Sequence, residues 1–308
     1  YNYLRSSHVS GGSTTTPYAN QVADTSGVQR FLQQGVQVGN MNEVNTSAES
    51  YMLWNWANDG AATANSDGTV TGGSTVRVNS DAGFSIVTFT GQSAAITVGH
   101  GLGVKPDFIV LKGYVRPSGS TAGWYVYNSG VGATKTLWLS LADAAYDWEY
   151  WGDVEPTTSV FSVGWGTGNT GMNQSGDSYI AYCWASVEGY SKFGTYTGNG
   201  ADDGAFVHTG FKPNFLLIKR VDNANYWVLF DGARSPYNPV TATFPSNYDN
   251  AGSASGLAAV DFVSNGFKWR LGAGGSYPTT NYDGGIYTYA AFAEHPFGGS
   301  GIGQGKAS

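Results

Sequence analysis

Hydrophobic residues in this chain fall in short alternating or continuous runs, separated by glycine, asparagine and aspartate. Phe108-Ile109-Val110-Leu111 is apolar at every position and follows Pro106, the pattern of a short strand buried on both faces. Proline gives no hydrogen to a ladder, so Pro106 is placed ahead of the strand. Trp227-Val228-Leu229-Phe230 is again apolar in both alternating sets, and Tyr287, Tyr289 and Phe292 mark a further strand. Between these runs lie Asn199-Gly200, Asp203-Gly204 and Asn265-Gly266, pairs that suit tight hairpin turns. The runs of Ala, Leu, Glu, Lys and Arg that long helices need are missing. The pattern predicts an all-β chain of short antiparallel strands packed as a sandwich.

The runs recur in order. VKPDFIVLKG at 104–113 is matched by FKPNFLLIKR at 211–220, which aligns Pro106 with Pro213, Phe108 with Phe215 and Lys112 with Lys219 at a spacing of 107. WYVYNSG at 124–130 matches WVLFDGA at 227–233, and YIAYCWAS at 179–186 matches YTYAAFAE at 287–294. Near the start, NTSAESYMLWNWA at 45–57 follows NQSGDSYIAYCWA at 173–185 almost position for position, and FLQQGVQVG at 31–39 mirrors FVSNGFKWR at 262–270. Ordered self-similarity of this kind signals a repeat architecture. The expectation is tandem jelly-roll or lectin-like sandwiches of about 105 residues, at 83–189 and 190–298, with a partial copy at 1–60. Residues 61–82 read as an inserted hairpin or linker, and 299–308 as a flexible Gly-rich tail.

Composition narrows the function classes. Charged residues make up 12% of the chain and net charge is −7, which disfavours a phosphate-binding surface and hence nucleic acid. No apolar run is long enough to span a membrane as a helix. Cys183 stands alone, so no intrachain disulfide staples the fold. With 10 Trp, 20 Tyr and 15 Phe in small sandwiches, burial of surface between chains is the expected source of stability, as a homotrimer. The sequence opens at Tyr1 without Met and reads as part of something longer.

Catalytic chemistry is sparse. His100 and His208 hold similar places in the two halves but have no Cys, Asp or Glu at ligand spacing, so they read as turn residues rather than metal ligands. No phosphate loop, nucleophile elbow or cofactor motif is present, and the expectation is of no enzyme and no cofactor. Asn45-Thr46-Ser47 and Asn173-Gln174-Ser175 fit a glycosylation sequon, but their shared place before a Tyr strand favours a turn role. The one constellation of interest interleaves acids and aromatics. Asp147 and Glu149 alternate with Trp148, Tyr150 and Trp151, beside Asp143, Tyr146, Asp153 and Glu155. Aromatic faces stack on sugar rings and carboxylates bond hydroxyls, so Trp148, Tyr150, Trp151, Asp147 and Glu149 are the candidate glycan-binding residues. The same carboxylates would be needed for glycan cleavage, and a plain solvated loop reads alike.

The strings GFSIVTFTG at 83–91, GHGLGVKP at 99–106, YIAYCW at 179–184, EGYSKFGTYTGNG at 188–200 and AAFAEHPFG at 290–298 together resemble a β-rich repeat domain of tailed-phage, notably marine-phage, tail-fibre and virion structural proteins. That resemblance implies a virion-associated, extracellular module of a fibre or appendage. Its partners would be other virion proteins and a host-surface glycan. The strand order also resembles, more weakly, H-type lectin domains, which implies a trimeric sugar-binding sandwich. A lectin module is the alternative reading, and a host-polysaccharide depolymerase the next.

Overall fold

The computed structural model describes residues 27–32, 35–58, 61–118, 123–165, 172–245, 259–270 and 278–293. The expected tail at 299–308, His295 and most of the loop after Pro245 lie outside them. An N-terminal hairpin, β1 (Val28–Leu32) and β2 (Gly35–Val38), precedes a helical turn at Asn42–Asn45. The first half then holds β3 (Thr63–Asn65), β4 (Ser74–Asn79), β5 (Phe84–Thr90), β6 (Ile96–Gly99) and β7 (Phe108–Val115). It continues with β8 (Trp124–Asn128), β9 (Lys135–Trp138), β10 (Tyr146–Asp147), β11 (Val160–Val163) and β12 (Ser178–Trp184). The second half holds β13 (Ser191–Thr197), β14 (Asp203–His208), β15 (Pro213–Arg220) and β16 (Trp227–Asp231). It closes with β17 (Thr243–Pro245), β18 (Ala259–Val263), β19 (Gly266–Arg270) and β20 (Ile286–Ala293).

The chain is all-β and its strands pair antiparallel. The larger sheet runs β10-β9-β8-β7-β12-β5-β4-β3, and the second runs β13-β20-β15-β16-β17. At each of five positions, β5/β13, β12/β20, β7/β15, β8/β16 and β9/β17, a strand of one half has a counterpart in the other. Each main sheet covers its inner face with a small sheet: β11-β6 in the first half, β14-β19-β18 in the second. Val87, Ile109, Leu111, Tyr127 and Tyr179 meet Val98, Phe161 and Val163 in one core. Leu216, Ile218, Phe230 and Tyr287 meet Val260, Phe267 and Trp269 in the other.

The alternate residues of the same strands bury the opposite face, as the period of two requires. Phe84, Phe108, Val110, Trp124, Tyr182 and Trp184 of the first sheet pack with Phe193, Trp227, Ala290 and Phe292 of the second in a third core. Phe108 stacks on Phe193 with centroids 5.6 Å apart and meets Trp227 edge-on at 6.4 Å. Polar links stitch the seam: Trp227 Nε1 donates to the Trp138 carbonyl at 2.8 Å, Ala145 N to Val221 O at 2.9 Å, and Asn225 N to Ala142 O at 2.6 Å. The result is four stacked layers in one body. The doubly apolar runs are therefore apolar because each main sheet is sandwiched twice.

Residues 63–79 form a hairpin, β3 and β4, that extends the first sheet beyond β5 and buries Val70 and Val76. The N-terminal segment departs from the expected strand. Residues 51–58 have no ladder partner among the described residues. Trp54 and Trp56 nevertheless turn inward, with Trp56 5.6 Å from Phe215 and 5.3 Å from Phe292.

Candidate functional site

The acid–aromatic stretch lies at the edge of the first sheet. β10 is a two-residue strand held on β9 through Tyr146–Thr136 and Asp147–Lys135, and Trp148 continues extended at φ −155°, ψ 135°. Glu149–Trp151 then coil into a 3-10 turn that ends at Gly152, whose φ of +60° suits glycine. The turn is seated on Gly164, whose N–H donates to Tyr150 O at 2.7 Å. A Cβ on Gly164 would run into the Glu149 carbonyl oxygen.

Extended backbone places Tyr146 and Trp148 on one side and Asp147 between them on the other. The rings form a ladder from surface to core. Trp138 lies 6.0 Å from Tyr146, Tyr146 5.4 Å from Trp148, and Trp148 stacks on Tyr150 at 5.6 Å and 17°. Tyr150 reaches Tyr125 at 4.7 Å. Tyr146 is 50% exposed, Trp148 is half-buried, and Asp147 and Glu149 are exposed.

Two of the five candidates are corrected by this geometry. Trp151 is 1% exposed and packs edge-on to Tyr127 at 5.8 Å, within the core that holds Phe161 and Val163. Tyr150 is also buried, and burial pushes its hydroxyl pKa up. The 3-10 turn breaks the alternation and rolls both rings inward, so neither offers a free face. Trp148, Asp147 and Glu149 stay at the surface, and the structure adds Tyr146 and Trp138. Tyr146 shares the alternation of Trp148 in the sequence, whereas Trp138 arrives only through the β9–β10 register.

The remaining acids divide by role. Glu155 accepts from Lys105 Nζ at 2.7 Å, Tyr127 OH at 2.5 Å and Ala133 N at 2.8 Å. Desolvation opposes its charge, but these three donors outweigh it and hold the carboxyl below its ordinary range. It clamps the loop after the aromatic ladder to the β8–β9 turn. Asp143, Asp147, Glu149 and Asp153 are exposed. Among the described residues, no group of three His, Cys, Asp or Glu side chains could hold a metal ion.

His100 is buried in a turn. Its Nδ1 accepts from Leu102 N at 3.2 Å and its Nε2 faces Thr157 O at 3.2 Å. Both contacts are satisfied by the neutral ring protonated on Nε2, and desolvation holds its pKa low. Asn173 is likewise buried and structural: its side chain accepts from Gln92 N and donates to Ala94 O.

No curated protein and no solved structure matches the chain. One family does, a domain of unknown function (DUF7483), over residues 1–296, and its extent takes in the N-terminal segment together with both sheets. The chain, matched over nearly its whole length, belongs to that family of domains of unknown function.

Proposed function

We propose that this protein is a non-catalytic module of a phage tail fibre or related virion appendage, and that it contacts a host-surface glycan through the Tyr146–Trp148 face. The observation that carries the recognition part is the ring ladder. A half-exposed tyrosine and a partly exposed tryptophan stand side by side, backed by buried Tyr150 and Tyr125, so they are held rigid without being covered. Rigid aromatic faces stack on the C–H face of a pyranose with little loss of side-chain entropy. The site lies on an irregular segment carried by a rigid sheet, where binding residues concentrate. The virion part rests on the sequence resemblance alone, and assembly as a homotrimer on the surplus of aromatic residues without a disulfide and on the weaker likeness to H-type lectin domains.

A glycan array of bacterial surface polysaccharides tests the reading. The unmodified protein is expected to bind at least one glycan, with Trp148→Ala and Tyr146→Ala each lowering affinity about tenfold, the effect of losing one ring contact of about 1–2 kcal/mol. Tyr146→Ala removes an exposed ring, so the melting temperature should hardly move; Trp148 also packs against the first core, so Trp148→Ala should lower it modestly. Binding that survives both changes would place recognition elsewhere. An array without any bound glycan would sink the proposal.

A further inference from the structure

One turn is built twice, with different acceptors. In the first half Leu102 N donates to His100 Nδ1 at 3.2 Å across Gly101, whose φ is +72°. In the second half Phe211 N donates to Thr209 Oγ1 at 3.4 Å across Gly210, whose φ is +89°. Leu102 and Phe211 are both buried. Each turn runs on through a Lys-Pro pair, Lys105-Pro106 or Lys212-Pro213, into the matching strand β7 or β15. Thr209 is therefore the structural counterpart of His100, and His208 beside it is exposed. A hydroxyl oxygen accepts at any pH, whereas an imidazole nitrogen accepts only while it carries no proton.

The titratable turn also makes a second contact. β6 and β11 pair as far as Gly99 and Val160, and His100 N extends the ladder to Ser159 O at 3.1 Å. Past that point the β6–β7 loop and residues 153–158 are tied by side chains. His100 Nε2 faces Thr157 O at 3.2 Å, and Lys105 Nζ donates to Glu155 at 2.7 Å. Glu155 also accepts from Tyr127 OH on β8 and from Ala133 N in the β8–β9 turn. The charges that act on the two groups come from neighbouring segments. Asp67 of the β3–β4 hairpin acts on His100, Lys105 acts on Glu155, and Asp107 acts on Tyr127.

We propose that His100 and Glu155 form an acid-released latch between the β6–β7 loop and residues 153–158, closed near neutral pH and open in acid. A proton on Nδ1 would set two donors, the ring and Leu102 N–H, against each other, so the charged ring must leave the turn. In the closed latch the ring is fully buried, and desolvation keeps the proton off against the pull of Thr157 O and Asp67. A released ring regains its ordinary pKa of 6.5, so acid below that value favours the open form. Glu155 acts in the same sense at lower pH. Desolvation of its carboxyl is outweighed by its donors, which hold the closed form low, so the released carboxyl takes a proton first. Protonation then removes the charge partner of Lys105.

Amide exchange of the whole chain, corrected for the intrinsic effect of pH, tests the latch. Between pH 7 and 5 the protection of Leu102 and Thr157 is expected to fall about tenfold, because opening takes up a proton. Phe211, in the turn built on Thr209, is expected to keep its protection. His100→Gln, which retains an uncharged donor and acceptor, should abolish the fall down to pH 5. Adding Glu155→Gln should remove the further fall below the ordinary carboxyl pKa of 4.5. Should His100→Gln fail to fold, NMR titration of the unmodified protein replaces it, with His100 expected to protonate below 6.5. A ring that titrates at 6.5 or above would overturn the proposal. So would a loss of protection at Leu102 and Thr157 no larger than at Phe211, or one that persists in His100→Gln.

Discussion

Trp227→Ala is expected to destabilise the protein by about 3–5 kcal/mol, the usual cost of truncating a buried tryptophan. The ring is 1% exposed and lies in the core between the two main sheets, across the seam from Phe108. The change leaves a cavity that two rigid sheets cannot collapse around, and it removes the donor to the Trp138 carbonyl. Tyr237→Ala is the control, since that ring is 84% exposed and its loss should cost no more than about 0.5 kcal/mol. Denaturant midpoints at constant m-value give both numbers. A Trp227→Ala loss below about 1 kcal/mol would mean that the seam is not a packed core.

The second large effect is alkaline stabilisation. Lys112 and Lys219 hold equivalent places on β7 and β15, one directly across from Trp124 and the other from Trp227. Lys112 reaches over the Trp124 ring at 5.1 Å, and Lys219 Nζ donates to the carbonyls of Arg220 and, across the seam, Ala142. Both side chains are buried, and desolvation pulls each pKa down to about 8. Below pH 8 folded and unfolded chains are both protonated, and the full cost of the buried ammonium is present. Between about 8 and 10.5 the folded lysines have lost the proton while the unfolded ones keep it, so stability rises with pH.

The rise is expected to reach about 1–3 kcal/mol per lysine, from roughly 1.4 kcal/mol per pKa unit with allowance for relaxation. Buried tyrosines set the upper limit. Tyr289 is pushed up to about 12 by burial, so above its ordinary pKa of 10 the unfolded chain sheds protons first and stability falls. Stability should therefore peak near pH 10. In the Lys112→Met, Lys219→Met variant the rise from pH 8 to 10 should vanish. A wild-type profile that is flat or falling over that interval would contradict the burial of these lysines.

Much of the fold is legible in the sequence because strand burial leaves a direct trace. Phe108-Ile109-Val110-Leu111 is apolar on both faces, and the structure buries both. What the pattern does not say is what covers the second face. Aromatic surplus without disulfides pointed to burial between chains, whereas the two main sheets of one chain cover each other. A run buried by a neighbour in the same chain reads like one buried by another chain, so that argument for a trimer loses its premise. Composition also cannot separate a surface aromatic from a core one. Trp148 and Trp151 sit in one acidic stretch, and only the 3-10 turn ending at Gly152 sends Trp151 inward. Trp138 joins the ladder through a strand register that no local pattern encodes.

Two sandwiches joined through a shared aromatic core are expected to behave as one folding body. Differential scanning calorimetry of the whole chain under reversible conditions tests it most directly. A single transition is predicted, with calorimetric and van't Hoff enthalpies in a ratio near one, and Trp227→Ala should shift that transition as a whole. Two separable transitions, with Trp227→Ala moving only one of them, would contradict it.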